Sequence, residues 1–190
     1  MSVPRDTHIH NRARQIVKDN DEAEIFSALK RVVLLLLKQH GPVETNFHDS
    51  VTDPHSQVFA VGGWVRDKLM QLESDDIDFV VPHKTLEFFT SHLEEFLRNS
   101  IEDQQQRIME WEPSVMRTIP DSVTKMPLNL KRINLIINRG EPDEKSFKLD
   151  FRELGPNESL LDDSKRRDFR MNSVYYDVWT NQTIDVVNVD

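Results

Sequence analysis

A chain of 190 residues, 37% hydrophobic and 30% charged, is long enough to bury one real core and too short for two full domains. It has no cysteine, which excludes disulfides and thiolate zinc sites, and its strongly apolar run from Val32 to Leu37 is far too short to cross a bilayer. The net charge of −9 denies it a general electrostatic grip on nucleic acid, so RNA contact would need local basic patches or a partner, whereas acidic clusters suit divalent cations.

No basic start followed by an apolar stretch marks a signal peptide, and the expectation is a soluble, intracellular protein without a membrane partner, cytoplasmic with the mitochondrion and nucleus left open. Residues 1–56 read as an N-terminal helical extension and residues 57–190 as a head domain. In the extension, Ile25, Phe26, Leu29, Val32, Val33, Leu36 and Leu37 recur at helical spacing. They predict a helix from about Glu22 to Gln39, stopped by Gly41-Pro42, with a polar loop from Val43 to Ser56. His8 and His10 have metal-ligand spacing only if that stretch is extended; a floppy terminus is the ordinary reading.

The head opens with a short strand, Val58 to Val61, then Gly62-Gly63 and a helix with Val65, Leu69 and Leu72 on one face. Ile77, Phe79 and Val81 alternate as in a strand, and Leu86, Phe89, Leu93, Phe96 and Leu97 predict an amphipathic helix. Residues 99–130, broken by Pro113, Pro120 and Pro127, fit a short strand and a mobile loop. Ile133 to Ile137 and Phe147 to Phe151 predict strands, Leu160 to about Asp177 a largely helical stretch, and Thr183 to Val189 a last strand. Helices interspersed with strands place the chain in the α/β (α+β) class.

Three short motifs carry chemistry. Gly62-Gly63 lies between a strand and a helix in a chain with only five glycines. Backbone without Cβ atoms admits a bulky anion, the helix start offers free N–H groups, and Arg66 one turn on adds a charge-assisted bond. A plain tight turn beside solvated Arg66 and Asp67 explains the same residues. In Asp75-Asp76-Ile77-Asp78-Phe79-Val80-Val81 the apolar positions face the core, so Asp76 and Asp78 point together to the other side, about 7 Å apart along the strand. Such a pair can share hard cations such as Mg²⁺, which would bridge a nucleoside triphosphate and activate a hydroxyl; a solvated strand edge is the alternative. Asp75 has the wrong parity. In the third motif, Asp162 to Tyr176, a helical reading buries Met171, Val174, Tyr175 and Val178 and aligns Lys165, Asp168 and Asn172 on another face, suited to a ribose hydroxyl and a phosphate or to an ordinary surface ion pair. Lys131-Arg132 and Lys165-Arg166-Arg167 are candidate contacts to RNA phosphates, solvated charges being the default.

Taken in order, Gly62-Gly63-x-x-Arg66-Asp67, Asp76-x-Asp78 and Arg166-Arg167-Asp168-Phe169-x-x-Asn172 resemble the class II branch of the polymerase-β-like nucleotidyltransferases, which holds CCA-adding enzymes and bacterial poly(A) polymerases. Gly-Gly-Trp-Val-Arg-Asp-Lys-Leu at 62–69 looks like the eukaryotic CCA-adding enzymes, and the resemblance runs from about Val58 to Asp185. It implies a small mixed sheet backed by helices. It implies two catalytic Mg²⁺ ions, or Mn²⁺, on Asp76 and Asp78, a triphosphate held by Gly62, Gly63 and Arg66, with Asp67 beside them, and an incoming CTP or ATP bound by Arg166, Arg167, Asp168 and Asn172. The acceptor it implies is the 3′ end of tRNA or another RNA.

Departures from the family pattern matter. The later acidic residue of the family aligns either with Asn134 or with Asp150, and Asp150 is the preferred third carboxylate. Arg170 stands where a threonine is common. The Glu-Asp-x-x-Arg helix that selects the base is missing, and Glu102-Asp103 with Arg107 has the wrong spacing to replace it. The expectation is therefore a catalytic head that needs neck, body and tail functions from further domains or a second chain. A stand-alone transferase with another RNA, protein or small-molecule acceptor, and a non-catalytic nucleotide-binding or assembly module, are the competing readings.

Overall fold

In a computed structural model, residues 16, 18–41, 53–102, 108–120, 127–138 and 144–187 are described. His8, His10, most of the loop expected after Pro42, Asp103 and Arg107 lie outside them. The first helix, α1 (Asn20–His40), starts at a reciprocal cap: the Asp19 carboxylate accepts from the Glu22 N–H, and Glu22 reaches back to the Asp19 N–H. It ends where Gly41 adopts φ 73 and donates its N–H to the Leu37 carbonyl. The predicted helix is therefore found, with its apolar stripe buried.

The head contributes β1 (Phe59–Val61), α2 (Gly63–Leu69), β2 (Asp76–Val81), α3 (Leu86–Glu102), β3 (Ile108–Pro120), β4 (Pro127–Asn138), β5 (Glu144–Glu153), α4 (Leu160–Ser164), β6 (Val174–Asp177) and β7 (Gln182–Asp185). Among the described residues the strands form one seven-stranded mixed sheet in the order β3-β4-β5-β2-β1-β6-β7, in which β2 and β5 run parallel and every other pair antiparallel. Helices α1, α2 and α3 share the larger core with one face of this sheet, and Phe26 of α1 stacks on Trp64 of α2 with ring centroids 5.0 Å apart. A smaller core on the opposite face gathers Phe59, Val61, Val80, Leu154, Leu160, Tyr175 and Val186. Among the described residues no helix is long and apolar enough to cross a membrane.

Strand parity decides what faces where. Ile77, Phe79 and Val81, like Ile133, Leu135 and Ile137 on β4 and Phe147, Leu149 and Phe151 on β5, belong to the larger core. The residues between them, including Asp76, Asp78, Asp150, Arg132 and Asn134, project from the other face.

The structure corrects two stretches. Where 99–130 was expected to hold a short strand and a loop, its described residues form the end of α3, which continues to Glu102, and β3, a 13-residue edge strand paired with β4 from Ile108↔Asn138 to Pro120↔Pro127. Proline has no N–H for a ladder, but β3 is an edge, Pro113 falls where the register shifts between Glu112 and Val115, and Pro120 and Pro127 form the last pair. The long helix expected from Leu160 to Asp177 is also absent. Only α4 is α-helical; a bend, one 3-10 turn (Arg170–Asn172) and β6 follow. Val174-Tyr175-Tyr176 is β-favouring and is captured between β1 and β7, while Met171, expected in a buried stripe, is 54% exposed. The supposed row of Lys165, Asp168 and Asn172 is broken, with Lys165 turned to Asp162. At smaller scale, α2 stops before Leu72, which is exposed, and β7 ends at Asp185 with a turn at 186–187, while the rest of the expected strand lies outside the described residues.

Candidate active site

Strand β1 ends beside β2 with Val61 opposite Asp78, and the chain then turns at Gly62 into α2. Gly62 has φ 81, a conformation that side chains with a Cβ rarely adopt. A Cβ there would lie 2.7 Å from Oδ2 of Asp78 and 3.6 Å from Nη1 of Arg167. The glycine turn, the second strand carboxylate and an arginine from the third motif thus meet at one point, although Arg167 is 105 positions along the chain from Gly62 (167 minus 62). At Gly63 a Cβ would meet Nη2 of Arg66 at 3.6 Å.

The acidic side of the site is a row across the sheet. Asp78 on β2 is in register with Asp150 on the parallel strand β5, and Asp150 is in register with Arg132 on β4. Arg132 donates from Nε and Nη2 to the two oxygens of Asp150 at 2.6 and 2.5 Å. The next row joins Asp76, Lys148 and Asn134. The pairing therefore sets Asp150 beside Asp78 and leaves Asn134 two strands from Asp76. Burial pushes the Asp78 carboxyl up from 3.8 to about 6; Arg167 opposes the rise, Asp76 and Asp150 add to it, and Arg132 opposes it again. Among the described residues no group of three or more His, Cys, Asp or Glu side chains is drawn together tightly enough to hold one ion. Exposed Asp76 and half-buried Asp78 nevertheless offer hard oxygen donors on the same face of the sheet, and the destabilised Asp78 anion is one that a divalent cation would neutralise.

The basic side divides in two. Arg66 donates from Nε and Nη2 to Asp67 at 2.8 and 3.1 Å and from Nη1 to Oδ1 of Asn172 at 3.1 Å; Asn172 in turn donates to Asp168 at 3.2 Å. Hydrogen bonding to Asp67 raises the pKa of Arg66, so it stays charged. Four expected site residues are thus one connected network, built without the long helix. Arg167 reaches the turn, whereas Arg166 pairs with Glu158, which also accepts from Arg152 at 2.6 Å and from the Gly155 N–H at 2.8 Å.

Residues 58–189 match the poly A polymerase head domain. The chain belongs to that family. This head domain is 26% identical over 125 residues to the tRNA nucleotidyltransferase cca1 of Schizosaccharomyces pombe, an alignment covering 64% of the chain and 24% of that protein. Among solved structures it is similar to the Thermotoga maritima CCA-adding enzyme complexed with tRNA (19% identity, 88% of this chain, 30% of that chain, TM-score 0.47). It is also similar to a CCA-adding enzyme in complex with ATP (18% identity, 88% and 30% covered, TM-score 0.47). The head spans about a quarter of the curated relative's length.

Sequence reasoning missed three supports of the site. Arg132 appeared only as a candidate RNA contact, although its parity with Asn134 places it on the carboxylate face. Asp163 carried no role, although it stands four residues before Arg167. Glu22 is fully buried at the cap of α1 and accepts from Trp64 Nε1 at 2.9 Å and Lys68 Nζ at 2.7 Å, which ties the extension to α2. No local pattern announces that last contact.

Proposed function

We propose that this head domain is a metal-dependent nucleotidyltransferase that moves a nucleoside monophosphate from CTP or ATP to an RNA 3′-hydroxyl, with tRNA CCA addition the reaction its relatives favour. The observation that carries the reading is the packing of Asp78 against the bare backbone of Gly62, with Arg167 at the same point. In this reading Asp76 and Asp78 hold two Mg²⁺ ions, or Mn²⁺, and Asp150 is a third carboxylate available once Arg132 lets go. When bound, the ions neutralise phosphate charge and acidify the attacking hydroxyl.

The chain's own residues position the reactants. Gly62 and Gly63 let the triphosphate approach the backbone, and Arg66 and Arg167 offset its charge. Asp67, Asp168 and Asn172 hold ribose hydroxyls through the network that Arg66 completes; Arg166, turned to Glu158, supports the same segment. Phosphoryl transfer needs mainly such positioning and charge stabilisation. Base selection and the tRNA grip fall, in this reading, to parts of the longer relatives outside the matched stretch, in further domains or a second chain. The setting in this reading is intracellular, where CTP, ATP and tRNA occur together.

The test incubates the protein with Mg²⁺, labelled CTP or ATP and tRNA lacking its terminus, and in parallel measures Mn²⁺ binding by electron paramagnetic resonance. Asp78→Ala should abolish transfer and weaken Mn²⁺ binding. Unchanged transfer and unchanged Mn²⁺ affinity in that variant would overturn the assignment.

A further inference from the structure

We infer that Asp163 is a positioning residue that aims Arg167 at the Gly62 turn. The inference rests on the proposed role of that turn in holding the triphosphate. Asp163 is 1% exposed, at the end of α4, with its carboxylate inside the protein. Its Oδ2 accepts from Nε and Nη2 of Arg167 at 3.0 and 2.9 Å. The same oxygen accepts from the Tyr175 hydroxyl at 2.6 Å, and Arg152 pairs with the other oxygen.

A guanidinium is a rigid planar fork, so pinning two of its nitrogens sets the direction of the third. The third here is Nη1, the atom 3.6 Å from where a Cβ on Gly62 would stand. Tyr175 completes the clamp: its ring centroid lies 5.8 Å from the Arg167 guanidinium, and its backbone is in register with Val61, the residue before the turn. Strand β6 and helix α4 thus hold one arginine from two sides and present its free edge to the glycine backbone. A carboxylate placed only to stabilise the fold would be satisfied by Arg152 and Tyr175. The additional, in-plane hold on Arg167 is what fits an arginine kept in one orientation before an anion arrives.

The experiment measures binding of tripolyphosphate with Mg²⁺ to the whole chain by calorimetry. The variants are Arg167→Ala, Asp163→Asn, the double variant of these two, and Tyr175→Phe alone and in the Arg167→Ala background, each with its melting temperature. Arg167→Ala should weaken binding about tenfold, Asp163→Asn by a similar factor, and the double variant no more than Arg167→Ala alone, because Asp163 acts through Arg167. Wild-type affinity in Asp163→Asn while Arg167→Ala loses affinity would overturn the inference, as would additive losses in the double variant. Wild-type affinity in Arg167→Ala would instead remove Arg167 from the triphosphate site, and the inference with it. If Asp163→Asn does not fold, Tyr175→Phe decides: weaker binding that vanishes as an effect in the Arg167→Ala background supports the clamp, and unchanged binding refutes it.

Discussion

Asp78→Asn should remove activity and at the same time stabilise the fold. The Asp78 carboxyl rises from 3.8 to about 6 in the folded chain because it is buried, with Asp76 and Asp150 adding repulsion that Arg167 and Arg132 only partly offset. A rise of that size is worth about 3 kcal/mol. The sign follows from proton counting. Well below pH 3.8 the group is protonated in both states and contributes no difference. As pH rises toward 6 the folded state keeps a proton that the unfolded state has lost, so stability falls; above 6 the full cost remains. Asparagine never ionises. The variant should match the wild type in acid and exceed it by about 3 kcal/mol at neutral pH, about 6–12 °C in melting temperature for a chain of this size. Urea denaturation at both pH values without divalent ions measures the gap. Saturating Mg²⁺ should then narrow it by stabilising only the wild type. A variant less stable than wild type at neutral pH, or a gap that does not change with pH, would refute the reasoning, because the site would then favour the Asp78 charge.

Other perturbations test the neighbouring contacts. Gly62→Ala places a Cβ 2.7 Å from Asp78 Oδ2 at φ 81, and should cost about 1–3 kcal/mol in a thermal melt and abolish transfer together. Arg132→Gln frees the Asp150 oxygens and should tighten Mn²⁺ binding in a paramagnetic titration; an unchanged affinity would exclude Asp150 from the metal site. Glu22→Gln leaves the Lys68 ammonium, only 10% exposed, without its carboxylate and should cost about 3 kcal/mol in chemical denaturation. Metal affinity of the wild type should also fall as pH drops through about 6, because a protonated Asp78 cannot ligate, and calorimetric titration across that range checks it.

The parts of the site that were legible in the sequence share a feature: each is encoded within a few residues. Alternation of Ile77, Phe79 and Val81 was enough to turn Asp76 and Asp78 to one side, because a strand's period is local. A glycine pair after an apolar run announced the turn. The stretch from Leu160 to Asp177 misled because its apolar spacing also suits a helix. What excludes a helix there is the place that β6 fills between β1 and β7, a contact with residues more than a hundred positions earlier. The preference for Asp150 over Asn134 rested on alignment alone, for a similar reason. Both share a face, and only the parallel register of β2 with β5 brings Asp150 beside Asp78.

By itself the amino-acid order determined the class of fold, the helix of the extension, the turn and the two outward carboxylates, since propensity, capping and periodicity act between near neighbours. Only the tertiary structure decided that Arg167 rather than Arg166 meets the turn, that Arg132 occupies Asp150 and that Glu22 locks α1 onto α2. Those contacts join elements far apart in the chain. Their partners are chosen by which strands pair and which faces are buried, and no window of sequence contains both ends of such a choice.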